Sequence, residues 1–145
     1  MQGPVKINDQ LSVAGQITAD EVAALKSQGF AAIINNRPDN EEPGQPSMAA
    51  VKATAEKAGL QYFFQPVTTS SIKKADVVAF HNALGRGTKP ILAYCRSGTR
   101  CYLLWGLSQT MFENASPLQI VARAAQQGFD LRVLPALAEK LQAEK

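Results

Sequence analysis

The chain of 145 residues is 46% hydrophobic and 19% charged, with a formal net charge of +3. Length and composition describe one globular domain over residues 1–145, able to bury a core without disulfides or metal, and they exclude disordered and fibrous classes. The basic residues are scattered, Lys73-Lys74 being the only adjacent pair, and no segment reads as a signal peptide or membrane span, so neither nucleic acid nor a membrane is an expected partner and the cytoplasm is the expected compartment.

In chain order, the β-rich flanks of Asn8-Asp9 predict a short hairpin at a sheet edge. Thr18 with Glu21 three residues on is a capping box, and helical spacing continues from it to Gly29. FAAIIN, 30–35, is a short apolar run and reads as a strand buried on both faces. A polar loop with three prolines follows to Pro46, and Ser47 then caps a helix that stops at Gly59. LQYFFQPV, 60–67, is the next strand. Ser70 or Ser71 is the expected cap of a third helix through Leu84, and GRGTKP ends it. KPILAY, 89–94, is another buried strand, which runs directly into CRSGTR. An apolar helix is expected from 101 to 112, a further one from Ser116-Pro117 to Gly128, and a last one over about 134–143. Because helix and strand alternate through the middle, the connections should be crossovers. The expected fold is an α/β three-layer sandwich with a central, mostly parallel sheet flanked by helices.

The chemistry concentrates at AYCRSGTRCY, 93–102. A strand that enters a tight glycine-containing loop and then a helix collects backbone N–H groups around one point, with the positive end of the helix dipole behind them. Cys95 sits at the start of that nest, so its pKa should fall from ~8.5 toward the ~3.5–7.5 of thiols beside helix N-termini and cations. Arg100 brings a planar fork of donors to the same point. Cys95 and Arg100 are therefore the candidate catalytic pair, with Arg96, Ser97, Gly98 and Thr99 as the anion-binding ring.

CRSGTR after an apolar strand resembles the active-site loop of single-domain rhodaneses, which implies a cysteine that carries sulfane sulfur as a persulfide. A wider resemblance covers roughly residues 10–110. AGQITADEVAALKSQGFAAIINNRPDNEEPGQPS, then QPV, then ILAYCRSGTR and a helix with Leu104-Trp105 are similar to the phosphatase-like domain of beta-lactamase hydrolase-like proteins. That resemblance implies a dual-specificity-phosphatase-like fold. Such domains are often fused or adjacent to persulfide-dioxygenase-like domains, which implies a persulfide-handling partner.

Measured against cysteine phosphatases, the loop has four residues between cysteine and arginine in place of five. The missing residue removes roughly 3.3–3.6 Å of reach and one N–H donor, so the shorter ring suits a single sulfane sulfur. Three further departures point the same way. Tyr94 precedes the cysteine where those enzymes have histidine, and Cys101 follows the arginine where they have Ser or Thr. The segment that would supply an aspartate general acid reads PVTTSSIKK, and Thr68 and Thr69 cannot protonate a leaving alkoxide.

The expected activity is thus sulfur transfer from thiosulfate or a low-molecular-weight persulfide through a Cys95 persulfide. The alternative is a phosphatase acting on a phosphoester through a phosphocysteine, and a third reading is a non-catalytic anion-binding module of a persulfide-handling system. Arg37, Asp39 and Glu41 follow a central strand and share its carboxyl-end crevice with the cysteine loop. Arg37 and Asp39 are candidate pocket residues, Asp39 as a substitute acid, while Arg37 paired with Glu41 would simply brace the loop. Cys101 is either a resolving thiol or a buried structural one. His81 has no ligand-spaced partner and GRGTKP precedes a strand, so neither a metal nor a nucleotide cofactor is expected.

Overall fold

Two short apolar runs, Ala32–Asn35 and Ile91–Tyr94, are buried at every position and lie side by side as the centre of a five-stranded sheet. They belong to a computed structural model that describes residues 4–144. The first three residues and the last, which the expected domain span includes, lie outside the described residues. The strands are β1 (Val5–Lys6), β2 (Leu11–Ala14), β3 (Ala32–Asn35), β4 (Gln61–Phe64) and β5 (Ile91–Tyr94). The helices are α1 (Ala19–Leu25), α2 (Met48–Lys57), α3 (Lys74–Arg86), α4 (Thr99–Phe112), α5 (Pro117–Gln126) and α6 (Leu134–Ala143). Strand order is β1-β2-β5-β3-β4, and only the β1–β2 pair is antiparallel. The α/β sandwich with a mostly parallel sheet is the fold observed. Among the described residues, no helix is long and apolar enough to cross a membrane.

Local chemistry explains most boundaries. The Asn8 Oδ1 accepts the N–H groups of Gln10 and Leu11 at 2.8 and 2.9 Å, which closes the hairpin between β1 and β2. The Thr18–Glu21 capping box opens α1, and Ser47 caps α2 through the Ala50 N–H. The start of α3 differs from expectation. Ser71 is spent in a 3-10 turn, Thr69–Ser71, where its Oγ accepts the Thr68 N–H at 3.0 Å. The helix begins instead at Lys74, and Asp76 accepts the Lys73 N–H at 2.8 Å. A second difference matters more: α4 begins at Thr99, two residues before the expected start, so Thr99 and Arg100 form part of its first turn.

Alternation along β5 divides the core. Leu92 and Tyr94 face one cluster with Val22, Leu25 and Val51 of α1 and α2, while Ile91, Ala93 and then Cys95 face another with Phe80, Leu103 and Leu107 of α3 and α4. Helices therefore cover both faces, and Cys95 is aimed at the layer containing α4. That helix is buried from Cys101 through Ser108, because α5 and α6 close over its outer side. A Cβ on Gly106 would lie 3.0 Å from Leu134 and 3.2 Å from Ile120, so glycine sets how closely α5 and α6 approach α4. Gly106→Val should lower unfolding free energy by about 1–3 kcal/mol, measured by urea denaturation; an unchanged midpoint would show that α5 and α6 yield freely.

Candidate active site

The Cys95 loop is clasped by the turn that follows β2. The Cys95 N–H donates to Ala14 O at 3.2 Å and the Gln16 N–H to Arg96 O at 3.3 Å. Gly15 permits this approach, since a Cβ there would sit 3.0 Å from Arg96 O. Gly98 adopts φ +93, a conformation side-chain-bearing residues rarely hold, and a Cβ on it would lie 3.2 Å from the Phe129 ring. Backbone conformation and space both demand glycine at that point.

Cys95 is 0% exposed. Its Sγ accepts the Gly98 N–H at 3.1 Å. The Cys101 thiol is the strongest influence holding it as a thiolate; burial opposes, and the Cys101 and Ser97 N–H groups and the Arg100 charge assist. The balance brings the Cys95 pKa down to about 5, so the sulfur is ionised at neutral pH. Cys101 itself is driven up by burial and by donating to its neighbour. The two thiols are thus coupled as one ionised acceptor and one protonated donor.

Arg100, from the first turn of α4, points back over the loop. Its Nη1 donates to Glu41 Oε2 at 2.9 Å and to Val67 O at 2.8 Å, and its Nη2 to Glu41 Oε1 at 2.8 Å. The remaining Nη2 hydrogen and the Nε–H have no partner among the described residues. Glu41 also accepts from Arg37 Nε at 2.9 Å, and the two arginines hold its carboxyl below the usual range, Arg100 most strongly. Arg37 is buried at 1% exposure and also reaches Gln16 Oε1 and Glu42 Oε1.

The expected site residues are therefore gathered unequally. Cys95, Ser97, Gly98, Thr99 and Arg100 form one loop and helix start. Arg96 is 63% exposed and lies 3.5 Å from Glu42. Arg37 does not line the pocket directly; it braces Glu41, as the pairing expectation had it. Asp39, expected as a substitute acid, is exposed and its Oδ1 accepts the Met48 N–H at 2.7 Å at the start of α2. Gln16, Glu42 and Val67 were absent from the sequence reading, and their sequence distance from Arg100 left no local signal for them. A separate cavity of about 380 Å³, lined by His81, Lys89 and Trp105, adjoins Leu11 and Ile91, the first residues of their strands and so the opposite end of the sheet from Cys95.

A buried thiolate beyond the carboxyl end of a central parallel strand, with a helix N-terminus and a braced arginine around it, defines a cysteine-phosphatase-like domain of dual-specificity shape. Residues 5–112 match the model of the family described as beta-lactamase hydrolase-like protein, phosphatase-like domain, and the chain belongs to that family. A beta-lactamase hydrolase-like protein of Xylella fastidiosa is 40% identical over 127 residues, 88% of this chain but 30% of that protein. The chain thus spans about a third of that curated relative's length. A crystal structure of a candidate phosphatase from Neisseria meningitidis is 39% identical, covers 94% of each chain and superposes with a TM-score of 0.80. The fold is also that of kinase associated phosphatase, at TM-score 0.71 and 16% identity over 93% of this chain and 89% of that one.

The coupling of the thiols is measurable. Alkylation of Cys95 by iodoacetamide should follow a titration with a midpoint near 5, and Cys101→Ala should raise that midpoint by roughly 1–2 pH units, since a hydrogen bond to a charged group contributes ~1.5–3 kcal/mol. A midpoint near 8.5 in the parent protein would refute the assigned ionisation. Glu41→Ala leaves two facing guanidiniums, one of them fully buried, and should cost about 3 kcal/mol of stability by urea denaturation.

Proposed function

We propose that this domain is a cysteine-dependent phosphatase in which the Cys95 thiolate takes up a phosphoryl group and water then removes it. The observation that carries this reading is the start of α4 at Thr99. The first-turn N–H groups of a helix have no partner within it, so the N–H groups of Arg100 and Cys101 add to those of the four loop residues, Arg96 to Thr99. Shortening the loop therefore does not by itself starve an oxyanion of partners, and the two unspent N–H groups of Arg100 complete the set. The order drawn from loop length, with sulfur transfer first, is accordingly reversed, in keeping with the family.

In the proposed reaction the Cys95 sulfur attacks phosphorus in line with the departing oxygen, while Arg100 and the loop N–H groups hold the equatorial oxygens. The Cys101 thiol then steadies the sulfur as it leaves again as a thiolate. Hydrolysis of p-nitrophenyl phosphate should vanish in Cys95→Ser and fall about 10²–10³-fold in Arg100→Lys, which keeps the charge and loses the fork. Acid-quenched enzyme should carry phosphate on Cys95; neither phosphate release nor a labelled cysteine would remove this reading.

One feature supports sulfur transfer as a second reading. The Gly98 N–H is directed at the sulfur itself at 3.1 Å and Cys95 is wholly buried, a closure that fits one added sulfur atom better than a tetrahedral group. Mass spectrometry after thiosulfate or glutathione persulfide treatment separates the two, since only sulfur transfer leaves a Cys95 persulfide.

A further inference from the structure

A phosphatase that attacks through a thiolate must still dispose of its leaving group, and each carboxylate near this loop is engaged elsewhere. Glu41 is shared by Arg37 and Arg100. Glu42 bonds Arg37 at 2.8 Å and faces Arg96 at 3.5 Å. Asp39 caps α2. The segment after β4 touches the site through Val67 O, and the residues that follow it, Thr68 to Ser71, carry only hydroxyls, with Thr68 and Ser71 bonded to each other. Tyr62 accepts from Asn35 at 2.8 Å, and Tyr94, 1% exposed, packs in the cluster with α1 and α2. Cys101 is committed to Cys95. Among the described residues around the loop, Glu41, Glu42 and Asp39 each already accept an N–H or guanidinium partner. The direction of ionisation agrees: arginine contacts hold Glu41 and Glu42 deprotonated, and burial makes both tyrosines weaker acids.

We infer that the site selects phosphorylated compounds whose leaving group departs as a stable anion without enzymatic protonation: acyl phosphates and phosphoric anhydrides first, aryl phosphates next, and alkyl phosphates last. This rests on the phosphocysteine reading. In the first step the S–P bond forms as the P–O bond breaks, and the oxygen leaves with the electron pair as a carboxylate, phosphate or phenolate. In the second, water attacks phosphorus, the S–P bond breaks with its electrons returning to Cys95, and the proton of the water passes to solvent. General-acid assistance contributes ~10²–10⁴ in rate where it operates. Its loss weighs little on a carboxylate of pKa ~4, more on a phenol of pKa ~10, and most on an alkoxide.

The test is a leaving-group series with the unmodified protein: acetyl phosphate, pyrophosphate, substituted phenyl phosphates graded by phenol pKa, and O-phosphoserine, each with Cys95→Ser as control. The expected result is a rate that falls steadily as the leaving-group pKa rises, with O-phosphoserine more than ~10³-fold slower than acetyl phosphate. O-phosphoserine within about tenfold of acetyl phosphate, with both activities lost in Cys95→Ser, would overturn the selectivity while leaving the phosphatase reading intact. No phosphate release from any compound and no phosphate on Cys95 would overturn both.

Discussion

The geometry of this site depends on one carboxylate. Glu41 bridges Arg37, which is anchored at the end of β3, and Arg100, which stands in the first turn of α4. Two elements that approach each other only in the folded sheet are thereby fixed beside the Cys95 loop. Glu41 and Val67 O hold the Arg100 guanidinium with part of its fork unspent. Arg37, almost wholly buried, gives Glu41 a second charge partner and ties the same loop to Gln16 beside the Cys95 turn. The brace is stronger than a surface ion pair because its partners are largely removed from solvent and satisfied by several hydrogen bonds.

The charges around the loop are balanced before any ligand arrives: three guanidiniums, from Arg37, Arg96 and Arg100, face Glu41, Glu42 and the Cys95 thiolate. The three cations differ in how firmly they are held. Arg96 is largely exposed, its contact with Glu42 is long at 3.5 Å, and pairs of that kind contribute at most about 1 kcal/mol. Arg37 and Arg100 are each held by several short bonds. The fixed pair therefore sets geometry, while Arg96 is the least constrained of the three.

Much of this was legible in the sequence because it is local. The Thr18–Glu21 box, the Ser47 and Ser116 caps, the buried strands and the strand-loop-helix around Cys95 each announce themselves within a few residues. The brace was half legible: Arg37 and Glu41 are four apart in one loop, but Arg100 lies 59 residues beyond Glu41, and only the placement of β5 beside β3 brings them together. The capping of α3 was misplaced because two serines advertised a cap that the 3-10 turn consumed. The start of α4 was placed two residues late. Counting residues between Cys95 and Arg100 measures the loop alone, whereas the first turn of α4, which begins at Thr99, also carries N–H groups without partners inside the helix.

Cys101 shows how the same core shapes reactivity. The position after the arginine must fit a buried helix flank and also face Cys95. A thiol serves both demands: it packs as a small apolar group and still presents a weak S–H donor to an anionic neighbour. The wholly buried Cys95 charge would be costly without such donors, and here the N–H groups of the loop, the Cys101 thiol and the Arg100 charge offset that cost together. Because Cys101 is driven toward its protonated form by the same burial that threatens the thiolate, the surroundings favour one ionised and one neutral sulfur over two of either kind. Depth and neighbours thus distinguish the two thiols: Cys95 accepts loop N–H groups and is held ionised, whereas burial holds Cys101 protonated.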